Sequence, residues 1–255
     1  MSRADRDRAI AFMRSHERAL ADQVVALAWG EAFLTPSLPR VHDGSFVRVD
    51  TLPAGVGVPE LAREAEQLLG GLRISHRRVN VDDEATAARL SAPFVGAGWE
   101  HEQFLVMARR REPDRPAGVH AEEIDPARLR PMDEASIRNW GADDDLVAQI
   151  LARADRLRRV IDVRAFAVLV GGAPVSRAYL YRDPGNPAIA QVEEVGTLAA
   201  HRDRGYARAA VTAAAEAATD AGLVFLVTSA ADWPQHLYRR LGFDTVGTED
   251  RFLRR

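Results

Sequence analysis

The 255-residue sequence contains no cysteine and no lysine. Without cysteine there is no disulfide framework, no thiolate metal ligand and no thiol nucleophile. All 34 basic residues are arginine, which reads as the mark of a GC-rich genome more than of a physical demand. An excess of charge of either sign is also missing. Against 37 acidic residues the net charge is −3, so there is no basic field for nucleic acid and no polybasic patch for a membrane surface. No apolar run approaches membrane-spanning length. The opening residues, where Arg and Asp alternate, do not read as a secretory leader, and a cytoplasmic location is expected. The seven histidines lack the His-x-x-x-His type of spacing, and Asp143-Asp144-Asp145 lacks the rest of a calcium loop, so no metal is expected.

What is present is an ordinary globular balance, 47% apolar and 28% charged, with length for one large domain or two small ones. Ile10, Phe12, Met13, Leu20, Val24, Leu27 and Trp29 recur at helical spacing and predict one long helix over residues 3–33. Strands are predicted at 45–51, 72–81 and 103–107, with helices over 61–69 and from Asp82 onward between them. Arg109 to Gly118, arginine-rich and carrying Pro113 and Pro116, reads as a linker. Two domains are therefore expected, 1–110 and 117–255. In the second, a strand at 119–124 leads to helices toward Trp140 and then Arg159. A hairpin of 163–170 with 175–181 follows, then a strand ending at Leu198. A helix over 203–221, a strand at 223–228, a helix over 232–241 and a last pairing strand complete the chain.

The most informative stretch is Val195-Gly196-Thr197-Leu198-Ala199-Ala200-His201-Arg202-Asp203-Arg204-Gly205-Tyr206-Ala207, a strand end, a turn and a helix start. The helix is strongly favoured by propensity, with eight alanines between Ala207 and Ala218 and no proline. The free N–H groups of a helix start form a concave nest with positive partial charge, suited to a phosphate or pyrophosphate. Gly205 and the small Ala207 let the backbone approach a ligand closely, and Arg202, Arg204 and Arg208 add positive charge.

Arg202-x-x-Gly205-x-Ala207 resembles the acyl-CoA pyrophosphate loop of the GNAT superfamily of N-acyltransferases. Leu237-Tyr238-Arg239-Arg240-Leu241-Gly242-Phe243, at the family's usual distance downstream, is similar to its other signature. The resemblance implies an α/β (α+β) GNAT fold, a mixed and mostly antiparallel sheet flanked by helices. It implies acetyl-CoA as cosubstrate, held by Val195, Thr197, Arg202, Asp203, Arg204, Gly205, Tyr206 and Ala207, with the Val195 N–H polarising the thioester carbonyl. The implied reaction is N-acetyl transfer to a primary amine of a small molecule or peptide by direct attack, without an acyl-enzyme. Ala231-Asp232 and Pro234 depart from the family, where asparagine and alanine are usual, so side-chain contacts to the cofactor from this region are not carried over.

Regular strand alternation puts Gln191, Glu193, Val195 and Thr197 on one face and Val192, Glu194, Gly196 and Leu198 on the other. Thr197 matches the family position nearest the cofactor arm, so Glu193 is the expected base, and a register shift of one residue would exchange it with Glu194. An ordinary carboxylate pKa near ~4.3 is low for this task, so burial or Glu194 has to raise it. Tyr238 is the expected acid for the departing thiolate.

An internal similarity completes the reading. Phe94-Val95-Gly96-Ala97-Gly98-Trp99 and the strand after it run parallel to Tyr238 through Phe243 and the strand after it. Gly57 through Leu69 likewise mirrors Gly205 through Ala221. The first half is expected to be a shortened, degenerate GNAT copy, since Leu52 to Gly57 holds no basic residue. The rivals are a non-catalytic acyl-CoA-binding or regulatory module and a specialised tandem acyltransferase similar to mycothiol synthase. Partners are a small-molecule amine, with no nucleic acid and no membrane, in a monomer or homodimer.

Overall fold

The structure, a computed structural model, describes residues 2–53 and 55–255, so that Ala54 of the 52–57 segment lies outside the described residues. The first half comprises α1 (Ser2–Leu20), β1 (Gln23–Leu27), β2 (Gly30–Leu34), β3 (Phe46–Val49), α2 (Val58–Ala65), β4 (Arg77–Val81), α3 (Glu84–Gly96) and β5 (Glu100–Arg109). The second comprises β6 (Glu122–Ile124), α4 (Arg130–Arg138), α5 (Asp144–Val160), β7 (Asp162–Val170), β8 (Ala173–Asp183), β9 (Asn186–Thr197), α6 (Tyr206–Glu216), β10 (Leu223–Ser229), α7 (Pro234–Arg240) and β11 (Phe243–Arg254).

The strands form one mixed sheet in the order β1-β2-β3-β4-β11-β5-β10-β9-β8-β7-β6. Its centre is an exchange. β5, from the first half, lies between β11 and β10 of the second, and β11 in turn pairs with β4. Read outward from the β11–β5 pair, the two sides repeat each other. Each has a single parallel ladder, β3 with β4 and β9 with β10, among antiparallel ones. The helices α2, α3, α6 and α7 pack on one face, and α1, α4 and α5 on the other. The sheet is therefore continuous through both sequence halves, each closing the other's core: Phe252 of β11 stacks on Phe94 of α3 at 4.3 Å between centroids.

The long N-terminal helix expected over 3–33 ends at Leu20, and a hairpin of β1 and β2 takes its place. Val24, Leu27 and Trp29 keep helical spacing by coincidence, while the Gln23-Val24-Val25 run carries the β-branched signal. Gly30, at the start of β2, lets that strand lie close on β3, because a Cβ there would lie 1.9 Å from the Arg48 carbonyl. At the other end, α6 stops at Glu216 rather than running on to Ala221, and turns at 217–220 lead into β10.

The linker is pinned rather than loose. The Arg110 and Arg111 amides donate to the Gly242 carbonyl at 2.8 and 3.2 Å, and the Asp114 amide to that of Arg240 at 2.8 Å. Gly242 has φ +89°, and a Cβ there would come within 2.0 Å of the Arg111 carbonyl. The glycine of the second motif thus serves a left-handed turn under the linker.

Candidate active site

β9 pairs with β10 only through Ile189, Ala190 and Gln191, then runs on to Thr197 while β10 turns its other edge to β5. The unpaired edges leave backbone N–H and C=O groups facing a cleft. A bulge drives the two strands apart. Tyr179 of β8 pairs with Glu193 and Arg177 with Gly196, so one extra residue is accommodated on β9, and Glu194 takes φ +52° there.

The bulge changes the expected alternation. Val195 joins Val192 and Ala190 against the α6 side of the sheet, whereas Gln191 and Glu193 precede the bulge on the α1 side. Glu193 and Val195 therefore do not share a face. Thr197 closes the strand with its hydroxyl 2.8 Å from that of Ser176.

Beyond the cleft, Ala199 to His201 form a short turn, Arg202 points its Nε at the Thr197 carbonyl at 3.4 Å, and Asp203 and Gly205 both take positive φ, +60° and +77°. Gly205 caps α6 with no side chain, so Tyr206, Ala207 and the rest of the first turn present bare amides. Arg202 and Arg204 flank this nest. Arg208, expected to join them, does not: it is 4% exposed and donates to Asp114 at 2.7 Å and to the Arg115 carbonyl at 3.3 Å, anchoring the linker.

Glu193 is held by two donors, the Gln191 amide at 2.5 Å and the Glu194 N–H at 3.3 Å. Burial, with the charge of Glu194 adding to it, nonetheless pushes its carboxyl up to about 7. Tyr238 is buried on α7 against Phe243, and burial, then Glu193 and Asp232, keep its phenol protonated well above the usual range. Glu193 and Tyr238 lie on opposite faces of the sheet, with Tyr238 in the α6–α7 core and Glu193 on the α1 side.

On the α4–α5 face a cavity of about 300 Å³ opens beside the bulge. Glu194, Arg177, Tyr179 and Tyr181 form its floor, α4 and α5 its walls, and Arg40 to Asp43 of the first half one side. Arg177 is pinned in place by Asp133 at 2.6 Å, and Asp133 also accepts the Tyr179 hydroxyl at 2.7 Å. Sequence reasoning missed these residues. The run Arg156-Leu157-Arg158-Arg159, arginine-rich as a solvated helix face would be, divides between the cavity (Leu157 and Arg158) and the Asp22 contact of Arg156 at 3.0 Å.

Residues 129–243 match the model of the acetyltransferase (GNAT) family. They form a GNAT acetyltransferase domain. Solved structures of similar fold span nearly the whole chain. A conserved protein of unknown function from Staphylococcus epidermidis has a TM-score of 0.68 at 13% identity, over 92% of this chain and 94% of that one. A GCN5-related N-acetyltransferase from Kribbella flavida gives 0.59 at 21% identity, over 96% and 93%. A tandem GNAT protein from the clavulanic acid biosynthesis pathway gives 0.54 at 15%, over 89% and 78%. None of the curated proteins matches in sequence. The GNAT domain carries acyl transfer as its chemistry. Among the described residues no group of His, Asp and Glu is placed to hold a metal, and no helix is long and apolar enough to cross a membrane.

Proposed function

We propose that the protein transfers an acetyl group from acetyl-CoA to the primary amine of a small molecule by direct attack. The observation that carries this reading is the uncapped, glycine-led start of α6 at the open end of a splayed strand pair. Main-chain amides of residues 203–207 with Arg202 and Arg204 fit a pyrophosphate in that nest. The unpaired edge of β9 at Val195 and Thr197 fits an extended pantetheine arm, and the Val195 N–H takes the role of polarising the thioester carbonyl. Acetyl-CoA when bound supplies the activated acyl group.

The chain's own residues supply the proton transfers. A carboxyl with a pKa of about 7 is matched to taking a proton from an ammonium or an attacking amine near neutral pH, and Glu193 is that group. Burial does most to hold the Tyr238 proton, but protonation of Glu193 removes one of the two negative charges that add to it, and the phenol becomes a better donor to the departing sulfur. Base and acid are thereby coupled across the sheet. The first half, without an arginine-bearing loop, is a degenerate GNAT copy whose role is structural, and a cytoplasmic setting goes with the use of acetyl-CoA.

Calorimetric titration with acetyl-CoA, followed by thiol release over a panel of amines, tests the reading. Binding and release with at least one amine support it. Binding with no release from any amine would make the chain an acyl-CoA-binding module, and absence of binding would remove the cofactor site altogether.

A further inference from the structure

The cavity beside the bulge carries four arginines and three carboxylates, and most are neutralised within the protein. Arg40 reaches Asp143 at 2.6 Å, Arg158 reaches Asp155 at 2.9 Å, and Asp43 is held by Arg78. Arg177 is committed to Asp133 at 2.6 Å and approaches Glu194 only to 3.6 Å. Two charges remain. Glu194 has an exposed carboxylate with no closer cation, and Arg153 of α5 has no hydrogen bond or ion pair to any described residue. The walls around them are apolar, formed by Ile137, Leu151 and Leu157 with Trp140 exposed at the rim.

We infer that the acceptor is an apolar amino acid, bound as a zwitterion with its carboxylate on Arg153 and its ammonium on Glu194. This rests on the transferase reading above and names its substrate class. A guanidinium with no partner among the described residues and a carboxylate held only by a long ion pair to Arg177, its pKa raised by burial, line one small apolar chamber. They suit such a molecule, since the ammonium strengthens a weakly paired anion and the carboxylate meets an unpaired cation as their hydration is lost. The bulge gives the arrangement its consequence. Glu194 lies next in the chain to Glu193, so an ammonium held by the first is delivered to the base at the cleft. Arg153 is contributed by the GNAT domain, while Arg40 to Asp43 of the first half wall off the far side, limiting the length of the apolar group.

The test is a binding measurement independent of turnover. Phenylalanine is compared with phenethylamine, and leucine with isopentylamine, by calorimetry on the full-length protein. The amino acid of each pair should bind at least tenfold more tightly. Arg153→Met should reduce that preference below threefold while leaving the affinity for the bare amine unchanged, and Arg153→Lys should restore part of it. Equal binding of acid and amine, no binding of either, or a preference that survives Arg153→Met would overturn the inference. Acetyl transfer to amines without any preference for a carboxylate would overturn it and leave the transferase standing. A carboxylate preference without transfer to any amine would overturn the transferase reading alone.

Discussion

The two halves of the sheet start from the same plan and part at one position of one helix. In the first half, α2 begins at Gly57, and Glu60 three residues on turns its carboxylate back to accept the Gly57 N–H at 3.0 Å. In the second, α6 begins at Gly205, and the residue three past the cap is Arg208, which faces the linker instead. One helix start is filled by an anion of its own and the other is left open. The neighbouring strands differ in the same sense. β3 ends at Val49, its last pairing with β4, whereas β9 continues past Gln191 through a bulge. On the opposite face, fully buried Arg48 of β3 fills the first half with ion pairs to Glu17 and Asp82, both at 2.7 Å, while the second half keeps a cavity there. Under the proposed function, the filled helix end, strand pair and chamber assign the first half to scaffolding and the open ones assign the second half to binding.

Breaking the filled side has the largest expected effect. Arg48→Met leaves Glu17 and Asp82 without their cation, while Glu249 keeps Arg251 at 2.9 Å, and should cost about 3–5 kcal/mol in denaturant unfolding. An unchanged unfolding midpoint would show that the ion cluster is not what holds the first half shut.

Next comes the base of the open side. Glu193→Gln should lower kcat/KM by about 10²–10⁴-fold. The wild-type profile should fall with decreasing pH around a midpoint of about 7, because the base acts deprotonated, and the variant should lose that limb. Stability runs the other way. The folded carboxyl lies above its ordinary 4.5, so the native state binds the proton more tightly and stability declines as pH rises from about 4.5 to about 7. Thermal melts should therefore favour Glu193→Gln over wild type at pH values above about 7 and show little difference near pH 4. A pH profile that is the same in both proteins would hand the base role to Glu194.

A smaller effect is expected where the two helix starts diverge. Gly205→Val imposes a branched side chain at φ +77°, and acetyl-CoA affinity should drop by about tenfold or more, in line with strain of about 1–3 kcal/mol. Retained affinity would place the pyrophosphate elsewhere. The smallest change is the converse one. Glu60→Ala opens the start of α2 and should cost about 0.5–1 kcal/mol without creating acetyl-CoA binding, since the strands beside it do not splay. A gained binding site would mean that the helix end alone suffices.

Much of the second half was legible in order because its signals are local. Alternation in Val163 to Val170, the Gly171-Gly172 turn and the alanine run after Gly205 each specify an element from neighbouring residues alone. The apolar spacing of β1 and β2 fits a helix equally well, and the strands are decided by pairing with each other and with β3, which is remote in sequence. The fate of Arg208 was equally hidden, since its partner Asp114 is remote in sequence. The same holds for Arg177 and Asp133.

The sequence by itself determined the elements, the open helix start and the identity of the acid–base candidates, because helix propensity, turn residues and motif spacing act over a few neighbours. Only the tertiary structure decided that β5 and β11 change places and that Glu194 absorbs a bulge. Tertiary structure also decided that a cavity forms where α4, α5 and the bulged strand meet Arg40 to Asp43 of the first half. These depend on which distant strands and charges meet, and that is settled by packing the whole sheet rather than by any stretch of it.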